Sequence, residues 1–252
     1  MGFQRRVGVL LSVAAAAIVA ALVSPRVGQD PAYHLFADQR VIWGVPNFWN
    51  VVSNLPFVAV GLYGLWAWRR ARWIEAGDRY PWLVVAVGAV FIGFGSGYYH
   101  WAPDNRTLFW DRLPMTLAVM GVFCAAIVEY IHARIGALLL GPFVVLGMLS
   151  VEVWRRGELT GVGDLRFYIL VQFYPMVALP LIYWMFRSRY TNASAMWGMA
   201  GLYGLAKVLE LLDQVVPGGH AWKHVAGAAA LWVAFRAVGN RTPVPNEKNV
   251  LG

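Results

Sequence analysis

A single cysteine, Cys124, is present among 252 residues, so no intrachain disulfide can form. It stands in the middle of an apolar segment and reads as a buried packing thiol. Charge is scarce as well: Asp, Glu, Lys and Arg make up 13% of the chain, against about 25% in soluble domains. That shortage excludes a globule with an ordinary water-exposed surface. Strand-like alternation of apolar and polar residues is also missing, which excludes an outer-membrane type of barrel. What takes their place is 59% hydrophobic residues and a mean hydropathy of +0.54.

The apolar residues gather into eight runs, roughly 7–24, 50–69, 81–100, 112–131, 135–153, 166–186, 194–214 and 220–238. Each approaches the ~20 residues that a helix needs to cross a bilayer. The expected fold class is all-α: a polytopic membrane helix bundle with short connections and no separate soluble domain. The net charge of +8 comes with a sided distribution of Lys and Arg. With a cytoplasmic N-terminus, 12 fall at inner ends and 7 at outer ends, most clearly Arg69, Arg70, Arg72 and Arg79 in one inner loop. The basic excess is thus a topology signal and not a nucleic-acid footprint. Eight crossings return the C-terminus to the cytoplasm. The short basic start and simple loops suit a bacterial inner membrane.

Three divisions follow along the chain. Residues 1–29 hold a basic start and a small-residue hydrophobic helix, read as a retained anchor with some signal-like character. Residues 30–238 form the main membrane domain, and 239–252 read as a flexible cytoplasmic tail. The Pro- and Gly-punctuated stretch 25–48 reads as an interfacial segment outside the membrane.

Ionisable residues within membrane helices cost free energy, roughly 2.5–3.5 kcal/mol for a charge at mid-bilayer, so those present invite a functional reading. His220 and His224, in HAWKH, lie at i and i+4, which stacks both imidazoles on one helix face. Ser96 and His100 repeat that spacing in GFGSGYYH. Asp111 follows where the next helix is expected to begin, so taken alone it reads first as a helix N-cap. That role is compatible with acid–base chemistry. Alternating helix direction places His100, Asp111, His220 and His224 at the same, outer end of the bundle. Three imidazoles leave the fourth tetrahedral position of a zinc ion open, the pattern of a catalytic site. Asp111 would then move protons and Ser96 would address a developing oxyanion. Near this end Asn47, Asn50, Ser53 and Asn54 share one side of a helix, where Pro56 frees the Val52 carbonyl; repair of helix hydrogen bonds is the simpler reading, and framing the site is the other. Lys207 and Glu210, at i and i+3, are expected to pair.

GSGYYHW, DRLPM and HAWKH, in this order, resemble the Ser-x-x-x-His, Asp-x-x-Pro-Met and His-x-x-x-His elements of alkaline ceramidases. NFWNVVSNLPF, from Asn47 to Phe57, is similar to the first core helix of that family. These belong to a superfamily of seven-helix membrane zinc hydrolases that includes adiponectin-receptor-like proteins. The resemblance implies a seven-helix core with one extra N-terminal hydrophobic helix. It implies zinc on His100, His220 and His224, with Ser96 and Asp111 as catalytic residues. It further implies cleavage of ceramide-like N-acyl lipids to a fatty acid and a sphingoid base. Eukaryotic members bind calcium through an acidic cluster near the first core helix. Here only Asp38 and Asn47 match that place, and oxygen ligands are too few to expect a calcium site.

Three other readings compete. An intramembrane serine protease would use Ser96, but Phe94 stands where a rhomboid-like GxSG needs glycine. A lipid-binding or receptor-like protein would hold zinc structurally, with Asp111 as fourth ligand. A bis-histidine haem protein would use two of the imidazoles. Hydrolysis of another N-acyl or ester lipid is the nearest variant of the main expectation. Acyl-chain length and oligomeric state are not legible.

Overall fold

The computed structural model describes residues 1–216 and 218–245. Its helices are α1 (Phe3–Val23), α2 (Phe48–Val52), α3 (Leu55–Arg70), α4 (Arg79–Trp101), α5 (Asn105–Ala126), α6 (Ala133–Leu159), α7 (Arg166–Met185), α8 (Ala195–Leu211) and α9 (Gly219–Asn240). No strand occurs among the described residues, and the chain is an all-α bundle as expected. Six stretches are long and apolar enough to cross a bilayer: Phe3–Val23, Phe48–Arg70, Ala76–Trp101, Asn105–Ile131, Ala133–Leu159 and Arg166–Met185. This is a multi-pass integral membrane protein. The remaining two of the eight expected spans are less apolar. α8 has only 17 residues and carries Lys207 and Glu210, while α9 carries His220, Lys223, His224 and Arg236.

Helix α5 is the centre of the bundle, with 72% of its most apolar stretch buried, against 6% for α1. α1 leans on α7 and buries only Leu10. α5 also begins earlier than its hydropathy suggests, at Asn105 and not near residue 112. Asp104 caps it: its side chain accepts the Thr107 N–H at 2.6 Å, and Thr107 Oγ1 accepts the Asp104 N–H at 3.1 Å. The polar look of residues 104–112 is resolved by packing. The Arg112 guanidinium is caged by the rings of Trp154 (4.3 Å), Tyr168 (4.8 Å) and Tyr33 (5.6 Å), so a buried cation continues the helix.

The expected 50–69 helix is broken at Ser53 and Asn54 into α2 and α3, with Pro56 in the first turn of α3. Close helix approach depends on small residues. A side chain at Gly61 or Gly93 would strike Val90 or Val58 across the α3–α4 contact. One at Gly95 would overlap the Trp110 carbonyl across the α4–α5 contact.

The two ends of the bundle differ. At one end the π turn Ile127–Ile131 aims Glu129 inward, where it accepts Trp82 Nε1–H at 2.6 Å and pairs with Arg241. Nearby Asp78 accepts from Tyr190 Oη at 2.5 Å and from Arg189 at 2.7 Å. The chain beyond α9 stays attached here, since Val244 donates to the Arg189 carbonyl at 2.9 Å. The expected flexible tail falls, from residue 246 on, outside the described residues. The opposite end holds the candidate site.

Candidate metal centre

His220 and His224 occupy the first turns of α9, where i,i+4 spacing puts both rings on the face toward α4. His100 enters from the last turn of α4. All three are buried, and one ligand atom from each lies within 4.8 Å of the others. The Nε2 atoms of His100 and His224 are 3.2 Å apart. Two nitrogens on a tetrahedral zinc ion are separated by about 3.3 Å. His220 Nε2 is buried with no hydrogen-bond partner among the described residues. An unpartnered His220 Nε2 beside two imidazole nitrogens that face each other fits a divalent metal such as zinc, which would satisfy all three together. No other group of histidine, cysteine or acidic side chains among the described residues has metal-binding geometry.

The ring orientations have identifiable supports. Ser53 Oγ donates to the Asn50 carbonyl at 3.2 Å and lies 2.8 Å from His224 Nδ1. When the hydroxyl proton goes to the Asn50 carbonyl, its oxygen is free to accept Nδ1–H, the His224 tautomer that leaves the Nε2 lone pair facing the centre. Asn47 Nδ2 donates to the His100 carbonyl at 2.9 Å, tying the end of α4 to the start of α2. Thus Ser53 and Asn47 frame the site. Helix repair is real too, but at a different carbonyl: Ser53 and Asn54 both bond Asn50 O, not Val52 O.

Asp111 is the largest change from sequence to structure. It is not an N-cap, because Asp104 fills that role. It sits inside α5, buried, with the buried Ser96 side chain as a polar neighbour. Gly95 makes this meeting possible by letting α4 and α5 touch backbone to backbone. Asp111 is not part of the metal-binding group, which leaves the triad without a carboxylate ligand.

Asp38 and Asn47 do not gather as a cation site. Arg40 clamps the Asp38 carboxylate through two bonds of 2.9 and 2.5 Å, and Asn47 turns toward His100. The guanidinium holds the Asp38 carboxyl below the usual carboxylate range.

Within the stretch 25–48, expected outside the membrane at its interface, the part around Phe36 folds over the triad. Phe36 is 4% exposed and packs its ring 4.7 Å from both His100 and His220. It joins an apolar cluster with Tyr99, Leu108, Val151, Trp154, Leu165 and Tyr168. His34 is half-buried between Tyr99 Oη at 3.1 Å and Asn105 Oδ1 at 3.0 Å, which ties this segment to α4 and α5. Lys207 does pair with Glu210, at 2.8 Å, and Lys223 and Tyr33 converge on the same carboxylate at 2.7 and 3.3 Å. Phe36 and Asp213 were not singled out from the sequence. The legible signal for Asp213 was an acid ending α8 just ahead of HAWKH.

A family model described as Ceramidase matches residues 40–240. The chain belongs to the ceramidase family. The matched span holds the triad, Ser96, Asp111, Asn47 and Ser53, while Asp38 and the Phe36 plug lie ahead of it. No curated protein matches the chain. Membership in the ceramidase family implies a hydrolase of amide bonds and a lipid substrate, in keeping with a site inside a membrane bundle.

Proposed function

We propose that this ceramidase-family protein is a zinc-dependent amidase that cleaves ceramide-like N-acyl lipids to a fatty acid and a sphingoid base. The observation that carries the proposal is the buried triad His100, His220 and His224, whose ring nitrogens converge with His220 Nε2 left unpartnered and with no carboxylate among them. A closed structural zinc site takes four protein ligands, whereas a catalytic one keeps a position open. The separation of Asp111 from the triad therefore favours chemistry over a merely structural metal.

The three imidazoles would hold the ion as neutral ligands, with the Ser53 hydroxyl 2.8 Å from His224 Nδ1 favouring the tautomer that leaves Nε2 free. Zinc bound there supplies Lewis acidity, polarising the amide carbonyl and acidifying water. Asp111 accepts a proton from the attacking water and returns it to the amine nitrogen as the C–N bond breaks. Once Asp111 carries the proton taken from water it no longer draws the single Ser96 hydroxyl proton, and Ser96 donates it to the carbonyl oxygen as negative charge develops there. A C–O bond replaces the C–N bond, giving a fatty acid and a free amine. Phe36 and its aromatic neighbours exclude water above the imidazoles, in keeping with a lipid amide presented from the bilayer side. In the topology favoured by basic residues, the site faces the non-cytoplasmic side. Residues 30–238 would be the catalytic seven-helix unit and residues 1–29 an appended anchor.

The test is metal analysis combined with fatty-acid release from N-acyl sphingoid, N-acyl ethanolamine and N-acyl amino-acid lipids. Zinc at one per chain and release that depends on it are expected, with the sphingoid lipid preferred. Bound lipid and zinc without released fatty acid would turn the assignment to a lipid-binding, receptor-like protein.

A further inference from the structure

Asp213 lies just past the end of α8 and is buried at 9% exposure. Its two oxygens serve different segments. Oδ1 accepts the backbone N–H of His220 at 2.7 Å. Oδ2 accepts the backbone N–H of Ala37 at 3.2 Å and lies 4.0 Å from His220 Nδ1. One carboxylate therefore touches the peptide of a triad histidine, faces the rear nitrogen of its ring and holds the residue next to Phe36.

We infer that Asp213 is a positioning residue that sets His220 for metal binding and couples this ligand to the segment closed over the site. The inference rests on the zinc reading given above and adds a device to it. Three physical points support it. First, a metal-bound histidine is oriented by an acceptor at its far nitrogen, and carboxylates are the common choice. His224 has Ser53 there, while His220 Nδ1 faces the Asp213 carboxylate at 4.0 Å, beyond hydrogen-bond reach but close enough for its charge to orient the ring. Second, the carboxylate meets an otherwise unpaired N–H in the first turn of α9, where negative charge is favoured by the helix dipole. Third, the turn between α8 and α9 is built tightly around it. A side chain at Gly219 would come 2.8 Å from Leu209 O and 3.0 Å from Asp213 Cα, and Gly218 takes a left-handed φ of 71°.

The coupling reaches far along the covering segment. Gln29 N–H donates to Glu158 at 2.9 Å, and Gln29 Oε1 accepts from Arg112 at 2.7 Å. His34 is held by Tyr99 and Asn105, and Asn50 Nδ2 donates to the Asp38 carbonyl at 3.2 Å. Among the described residues the Asp213–Ala37 hydrogen bond joins this segment to the turn ahead of His220, while Tyr33 reaches Glu210 within α8 at 3.3 Å. When that bond opens, Phe36 and His220 lose their common anchor, so covering the site and holding the metal become one event.

The test compares the purified full chain with Asp213→Asn, Asp213→Glu and Ala37→Pro. Asp164→Asn, a buried acid bound to Arg166, serves as control. Zinc affinity is read by chelator competition, ligand geometry by the absorption spectrum of the cobalt-loaded protein, and covering by amide exchange at residues 33–38. Asp213→Asn keeps the shape but presents an amide to two donors. Its zinc dissociation constant is expected to rise about 10- to 100-fold, with faster exchange at 36–38, and Asp213→Glu is expected to recover part of both. Ala37→Pro removes one donor and leaves the carboxylate, so exchange rises while zinc affinity falls less than in Asp213→Asn. A folded Asp213→Asn protein that binds zinc as tightly as the Asp164→Asn control overturns the positioning role. Unchanged exchange at 36–38 in Asp213→Asn, and at 36 and 38 in Ala37→Pro, overturns the coupling. A wild-type chain that binds no zinc would instead sink the metal reading itself.

Discussion

Ser53 and Asp111 illustrate how a single side chain acquires its meaning from one partner. A serine in an apolar helix commonly bonds a carbonyl of its own helix, and Ser53 does so. The same oxygen also orients His224 from a different helix. Ser53→Ala removes that acceptor while leaving the fold intact, and zinc affinity is expected to fall about tenfold or more, measured by chelator competition. Asp111→Asn should separate binding from turnover. The variant is expected to retain zinc at one per chain but lose about 100- to 10,000-fold in fatty-acid release, the range of a general acid–base contribution. Equal activity in Asp111→Asn would remove Asp111 from the chemistry.

At the scale of helices, the site exists because α4 packs closely on α5, while α2 and α3 lie between α4 and α9 and contact both. The α4–α5 contact depends on Gly95, whose missing side chain makes room for the Trp110 carbonyl. Gly95→Ala has to push the helices apart. A cost of about 1–3 kcal/mol is expected from such overpacking, seen as a lowered unfolding temperature in detergent. Activity should drop further than stability, because Ser96 and Asp111 are carried by the two helices that separate. Zinc affinity should change little, since His100 is also held from α2 through Asn47. The helix boundaries show the limits of hydropathy. Residues 104–112 read as loop because they are polar, yet the capping box at Asp104 and the aromatic cage of Arg112 draw them into α5.

For the whole molecule, the two bundle ends divide the labour. One end holds the triad under its covering segment, and the other is closed by the buried pair Glu129–Arg241 with Trp82. Breaking such a pair from one side costs about 3–5 kcal/mol, because the remaining charge is left buried. Glu129→Gln is therefore expected to lower the unfolding temperature sharply while leaving zinc stoichiometry unchanged. Replacing both partners with neutral residues should recover much of the loss. Removal of zinc by a chelator acts at the other end: fatty-acid release should cease and return on adding zinc, with the helical content retained throughout.

Most of the architecture was legible in the chain because a bilayer imposes a length and a polarity on each crossing helix. The spacing of Ser96 with His100 and of His220 with His224 was legible for a related reason, as helical periodicity alone puts each pair on one face. The coming together of the three histidines followed from counting crossings, which assigns every helix end to one side. Contacts that depend on how helices rotate and turn do not follow from period or hydropathy. Tertiary structure decided that Asp111 lies within α5 and faces Ser96, that Arg40 occupies the Asp38 carboxylate, and that residues near Phe36 fold inward over the imidazoles. It also decided the partners of Ser53 and Asp213, for a hydrogen bond between segments more than a hundred residues apart leaves no periodic trace in the sequence.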